Sequence, residues 1–266
     1  MQKKEKKTFS QIAKMAPVNK EENKEDFKYV QEYLCRFGYL QENNYKKNIL
    51  DKQTSKALSK YQRFYGLPET GTFTKQTRDQ MNLSRCGVPD AVRSSITFEA
   101  ICPWEKSEIT YAFELGTDDI NEKNEFEAVR NAFKTWEVVT PLTFKEVSVT
   151  GEPDVLIGWR SADDNDQSMI GPTLAHADYP PGCSKITNSL PLPIHFDDSE
   201  HTWCIGAVSK AYDVETVALH EIGHILGLDH SNVEGAVMFA TNLPNFTKRA
   251  LTPDDIAGVE RLYRNH

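Results

Sequence analysis

The sequence predicts an α+β protein in two parts, a small three-helix domain followed by a larger domain of mixed strands and helices. Three observations predict it. Apolar residues recur at helical spacing through residues 27–81. Short β-branched and aromatic runs then flank one amphipathic stretch at 122–139. Finally, three histidines crowd into residues 220–230, inside an apolar helical run.

The elements follow in order. Residues 1–26 are charged and polar, contain no secretory h-region, and read as a flexible leader. In the helical domain, 27–83, Phe27, Val30, Leu34 and Phe37 share one face and Gly38 ends the first helix. Asp51 is an N-cap for a second helix carrying Ala57, Leu58, Tyr61, Phe64 and Tyr65, which Gly66-Leu67-Pro68 breaks. A third short helix starts near Thr74. Residues 84–103 link this domain to the larger one, 104–266. There, 109–115, 142–149 and 154–159 read as strands, and 122–139 as a helix burying Phe126, Val129, Phe133 and Trp136. Thr252-Pro253-Asp254-Asp255 starts a final helix, with an N-cap, a proline at the first position and acids at the positive end of the dipole.

The net charge of -8 and a pI near 5.5 argue against nucleic acid as a partner. No apolar run is long enough to span a bilayer.

The chemistry concentrates in His220-Glu221-Ile222-Gly223-His224-Ile225-Leu226-Gly227-Leu228-Asp229-His230. On a helix His220 and His224 lie one turn apart on one face, so two imidazoles can reach one ion. Gly227 lets the chain turn back and bring His230 as a third ligand. Three histidines leave the fourth position of a zinc ion open, as hydrolytic sites require. Glu221, beside them, is placed to act as the base.

Upstream stands Ser84-Arg85-Cys86-Gly87-Val88-Pro89-Asp90. With five cysteines, one lacks a partner if the others pair, and Cys86 is the candidate for that thiol. A cysteine held over the metal would fill the open position and exclude water. The other four, Cys35, Cys102, Cys183 and Cys204, allow three pairings; Cys183 and Cys204 flank one segment and are one possible pair.

Together these motifs resemble the matrixin family, the matrix metalloproteinases, over residues 27–264. The family's switch motif carries proline where Ser84 stands here. The resemblance implies a metzincin-type catalytic domain, with a twisted mixed sheet and three helices, behind a peptidoglycan-binding-like prodomain. It implies a latent zinc endopeptidase with Glu221 as catalytic base, inhibited by Cys86 and activated by another protease, with Arg93-Ser94 as a trypsin-like cleavage point. Met238 resembles the methionine turn beneath the zinc. His176, His195 and Asp166 match ligands of a second, structural zinc, with Asp164 where the family has histidine. Asp197 and Glu200 match calcium ligands, although Ser168 stands where a partner aspartate is expected. Residues 173–177, including Ala175, would form the edge strand that takes extended protein substrates. Thr216, Ala240 and the loop 239–249 would line an apolar-accepting pocket, without the family's P-x-Y wall. Asp254 or Asp255 would anchor the new N-terminus after activation. The family is secreted and extracellular, and the chain is expected to act as a monomer. It ends at His266, before any hemopexin-like domain would begin. The competing classes are a catalytically silent scaffold and a zinc hydrolase of cell-wall amides.

Overall fold

The computed structural model describes residues 10–90, 102–187 and 189–264. The chain divides into two compact units. The first contains residues up to Leu83 with Pro89–Ser95 and Ile170–Pro172; the second contains Ser84–Val88, Ile96–Met169 and Thr173–His266.

The first unit is helical: α1 (Lys28–Arg36), α2 (Lys52–Phe64) and α3 (Lys75–Met81). Asp51 caps α2 by accepting from the Thr54 amide, and Thr74 caps α3 by accepting from the Thr77 amide. Phe27, Val30, Leu34, Phe37, Leu58, Tyr61 and Phe73 are buried. The leader expected over 1–26 does not hold for its described part. Ile12, Met15 and Val18 are buried, and Val18 and Phe73 exchange backbone hydrogen bonds at 2.9 and 3.1 Å. Three apolar residues spaced by three suffice to dock this segment, despite the charge around them.

The second unit is built on a mixed six-stranded sheet in the order β1-β5-β6-β4-β2-β3. The strands are β1 (Arg85–Cys86), β2 (Glu108–Leu115), β3 (Thr143–Glu146), β4 (Val155–Arg160), β5 (Thr173–Ala177) and β6 (Leu192–Asp197). Among the described strand pairs of this sheet, β5–β6 is antiparallel and the others are parallel. A two-residue pair, β7 (Trp203–Cys204) and β8 (Tyr212–Asp213), follows. β6, β7 and β8 have no counterpart among the predicted strands: β7 and β8 are two residues long, too short to show a period, and Pro193 interrupts β6.

Helix α4 (Asn124–Glu137) and helix α5 (Val214–Ile225) share a core with β4, β5 and β6. Val129, Phe133 and Trp136 of α4 are buried as their spacing predicts, and the Trp136 indole donates to the Leu219 carbonyl at 2.8 Å. This fixes α5, which carries His220 and His224. Helix α6 (Pro253–Tyr263) starts with the expected capping box between Thr252 and Asp255. The Asp255 carboxylate, fully buried, also accepts the amides of Val237 and Met238 at 3.0 Å each. It therefore ties the helix start to the methionine segment.

Asp255→Ala would strand these buried donors, so it should destabilise the second unit by roughly 3 kcal/mol. A thermal melt followed by tryptophan fluorescence checks this; an unchanged midpoint would contradict it.

Candidate metal centre

Asp213 caps α5 by accepting from Thr216 N at 3.0 Å and Thr216 Oγ at 2.7 Å, and Arg249 donates to the same carboxylate. From this fixed start, His220 and His224 follow one turn apart, with ring centroids 4.9 Å apart. Both rings are oriented by the main chain. His220 Nδ1 donates to the Val237 carbonyl and His224 Nδ1 to the Leu228 carbonyl, each at 2.7 Å. A neutral imidazole that donates through Nδ1 has a bare lone pair at Nε2. Gly227, at φ 94°, turns the chain back and brings His230 alongside. Its Nε2 lies 3.2 Å from the Nε2 of His224 and of His220. Cys86 Sγ lies 3.5 Å from His224 Nε2, and the four ligand atoms fall within 4.8 Å of one another.

These distances test the fit to a metal. Four-coordinate zinc with Zn–N bonds of about 2.05 Å has N···N edges of about 3.3 Å, and a thiolate adds N···S edges of about 3.5 Å. The two N···N distances at His230 and the Cys86–His224 distance match these edges. The Nδ1 donations leave bare lone pairs at Nε2 of His220 and His224, each 3.2 Å from His230 Nε2, so the donor set fits zinc.

Electrostatics agree. Burial, aided by His230, holds His220 and His224 well below the ordinary histidine range, so both rings are neutral and ready to ligate. Burial pushes Glu221 up to about 8, and its Oε1 is buried with no hydrogen-bond partner. Its Oε2 accepts from Cys86 Sγ at 3.5 Å. Burial, then Glu221, pushes the Cys86 thiol up; a cation beside it reverses that logic. Met238 is fully buried, and a Cβ at Gly223 would overlap its sulfur, which explains a glycine in the middle of α5.

The segment bearing Cys86 is held on both sides. Gly87 N donates to the Ala175 carbonyl at 2.8 Å, and Cys86 N to the Ala240 carbonyl at 2.9 Å. Asn242 N donates to the Ser84 carbonyl at 3.0 Å, and Ser84 Oγ lies 2.7 Å from the Tyr212 hydroxyl. The edge-strand expectation for residues 173–177 is thus corrected. β5 is the second strand, because β1 pairs with its outer edge in parallel. Thr216 is buried, with its hydroxyl engaged by Asp213 and the Lys248 amide.

A second cluster joins Asp164, Asp166, His176 and His195. His195 Nδ1 lies 2.6 Å from Asp164 and 3.2 Å from Asp166, and His176 Nε2 lies 3.1 Å from Asp166. Both ring nitrogens of His176 are buried without an aligned hydrogen bond. Burial opposes charge on His195, but the two carboxylates outweigh it and raise its pKa to about 9. Burial opposes charge on Asp166 too, and the two histidines nevertheless hold it below the usual carboxylate range.

Asp197 and Glu200 join no cluster of three ligand groups among the described residues. Asp197 Oδ1 is taken by Ser199 and the Glu200 amide, while its Oδ2 is buried without a hydrogen bond, 3.8 Å from His201 Nε2. Asp255 is committed to the methionine segment, and Asp254 accepts from Ser231 Oγ at 2.5 Å. The Arg93-Ser94 cleavage point lies outside the described residues.

The cysteine arithmetic needs correction. Cys102 pairs with Cys183, while Cys35, Cys86 and Cys204 are free. The suggested Cys183–Cys204 pair does not form; Cys204 Sγ is buried and donates to the Gly206 carbonyl at 3.1 Å. Sequence reasoning also missed Tyr179 and Asp229, whose hydroxyl and carboxylate meet at 2.9 Å. Only the folded chain brings residues 50 positions apart together.

The Matrixin family model matches residues 103–264. The chain belongs to the matrixin family. A second model, described as a peptidoglycan binding domain, matches residues 23–81. Among similar curated proteins, human neutrophil collagenase is 37% identical over 95% of this chain and 53% of its own length. The Arabidopsis thaliana metalloendoproteinase 1-MMP is 34% identical over 87% of this chain and 67% of its own. Stromelysin-2 of Rattus norvegicus is 36% identical over 88% of this chain and 48% of its own. The matrixin chain thus spans about half the length of the mammalian relatives it matches.

The raised pKa of His195 has a signed consequence in metal-free protein. Its stabilisation is fully present below about 6.5, the unfolded value, and is lost as pH rises through about 9. His195→Gln should therefore cost more stability at pH 6 than at pH 9.5 by denaturant unfolding. An equal cost at both would contradict it.

Proposed function

We propose that the chain is a zinc-dependent endopeptidase, held latent by Cys86 and activated by proteolytic removal of the helical domain. The observation that carries this reading is the convergence of three imidazole Nε2 atoms and one thiol within 4.8 Å, beside the unpartnered carboxylate oxygen of Glu221.

His220, His224 and His230 would hold the zinc. When bound, the ion polarises the scissile carbonyl and makes the attacking water more acidic. Glu221 accepts the water's proton at its carboxylate and later delivers it to the leaving amine. Its pKa of about 8 before metal binding reflects a buried site, and a nearby cation favours its ionised form. In the latent chain Cys86 Sγ stands where that water is needed.

The slot filled by residues 84–87 supports extended protein segments as substrates. It offers main-chain hydrogen bonds from Ala175 on one side and Ala240 on the other, the mode of strand addition. Thr216 and the loop 239–249 would line the adjoining pocket. The relatives are named collagenases, a stromelysin and a metalloendoproteinase, which supports proteins as the substrate class.

Asp164, Asp166, His176 and His195 would hold a second, structural zinc, supported by the gathering of their ligand atoms within 4.8 Å and by the buried His176 ring nitrogens without an aligned hydrogen bond. For calcium, the supporting atom is Asp197 Oδ2, with Glu200 as its neighbour. Asp254 would receive the N-terminus of the activated chain. The Cys102–Cys183 disulfide supports an oxidising, extracellular setting, and no described helix is long and apolar enough to cross a membrane. The reading takes the monomer as the working form.

The test is hydrolysis of an internally quenched peptide by the intact chain, before and after limited cleavage near Arg93. Activity should be low, rise on cleavage and vanish with a chelator. Cys86→Ser should be active without cleavage. Glu221→Gln should lose on the order of 10²- to 10⁴-fold while keeping its zinc. Normal turnover by Glu221→Gln, or inactivity of the cleaved chain across a diverse peptide library, would refute the proposal.

A further inference from the structure

His230 is the one histidine of the cluster that α5 does not carry. Its position depends on the turn 225–230, which is gripped at both ends. At the start, a Cβ on Gly227 would collide with the Cys102 carbonyl oxygen, so Cys102 lies directly against the reversal. Two residues on, the Trp104 indole donates to the Ile225 carbonyl at 2.8 Å. Tyr263 adds a hydrogen bond to the Leu226 carbonyl at 2.9 Å.

At the other end, Asp229 is 2% exposed. Its Oδ1 accepts the Tyr179 hydroxyl at 2.9 Å and the His230 amide at 3.1 Å. The Tyr179 ring meets His224 edge-on, with centroids 5.5 Å apart, and Lys185 Nζ lies 4.4 Å over its face. The loop bearing Tyr179 is wrapped around Asp178, whose carboxylate accepts the amides of Tyr179, Lys185, Ile186 and Thr187 and the Ser184 hydroxyl. The two grips are covalently one, because Cys183 of this loop is bonded to Cys102.

We propose that Tyr179 and Asp229, tied to Cys102 through the Cys102–Cys183 disulfide, are positioning residues that hold His230 in place for the metal. This rests on the metal-centre reading above. A ligand on a turn must be ordered each time a metal binds, and that ordering opposes binding. A turn already fixed at both ends removes most of that cost. Tyr179 therefore acts on the metal through Asp229 and the His230 backbone, while its ring packs on His224.

The experiment uses the full chain, stripped of metal and titrated with cobalt(II). The His176 and His195 cluster contains no thiol and gives no thiolate-to-cobalt charge-transfer band, so a band that Cys86→Ser abolishes reports the site containing Cys86. Competition with zinc then reads the zinc affinity of this site. Tyr179→Phe removes one hydroxyl and keeps the ring, and should weaken zinc about tenfold and alter the cobalt band. Cys102→Ser with Cys183→Ser should do likewise, and all three together should cost less than the product, because they act on one turn.

Zinc affinity within twofold of wild type in both variants, with an unchanged band, would overturn the inference and leave the metal centre standing. A lower melting temperature with unchanged affinity would mean a merely structural role and also overturn it. If the cysteine variant does not fold, Tyr179→Phe decides alone. No charge-transfer band in the wild type would overturn the metal-centre reading, and this inference with it.

Discussion

The Nε2 atoms of His220 and His224, bare because each ring donates through Nδ1, both lie 3.2 Å from His230 Nε2, and much of the second unit fixes that arrangement. Its support comes from several directions. The carbonyls of Val237 and Leu228 hold the Nδ1 hydrogens of His220 and His224. Val237 is itself held by Asp255 at the start of α6. The α5 helix is fixed by its Asp213 cap and by the Trp136 indole of α4. Each contact is ordinary in strength. Their joint effect is a donor set with little freedom to rearrange.

The same economy explains the segment over the cluster. Residues 84–87 form a strand edge on β5 and hydrogen-bond to residues 240–242 on the other side. A chain held this way presents its side chains at fixed heights, which places Cys86 Sγ beside both His224 and Glu221. The thiol thus meets the Glu221 carboxylate and the His224 ring together. Serine at position 84, where the family motif has proline, adds a contact with the Tyr212 hydroxyl.

Much of this was legible because the chemistry is local in the chain. His220, Glu221, His224 and His230 lie within eleven residues, and helix geometry with one glycine turn converts that spacing into a site. The helices were legible for the same reason, since Asp51, Thr74 and Thr252 announce their starts. What was not legible depends on distant residues meeting. Cys102 and Cys183 are 81 residues apart, and four cysteines leave three pairings open. Tyr179 and Asp229 carry no local signal at all. Ile12, Met15 and Val18 were hidden by their charged neighbours, and the pairing of Val18 with Phe73 joins residues 55 positions apart. The strand at Arg85–Cys86 is two residues long, too short for any periodicity to show.

The measurement that tests the central claim most directly is an anomalous difference map at the zinc edge, from crystals of the intact chain purified without chelator. The account predicts a peak bonded to His220, His224, His230 and the Cys86 sulfur. A map with no peak among these four side chains, or with Cys86 directed elsewhere while zinc is bound to the histidines, would contradict it.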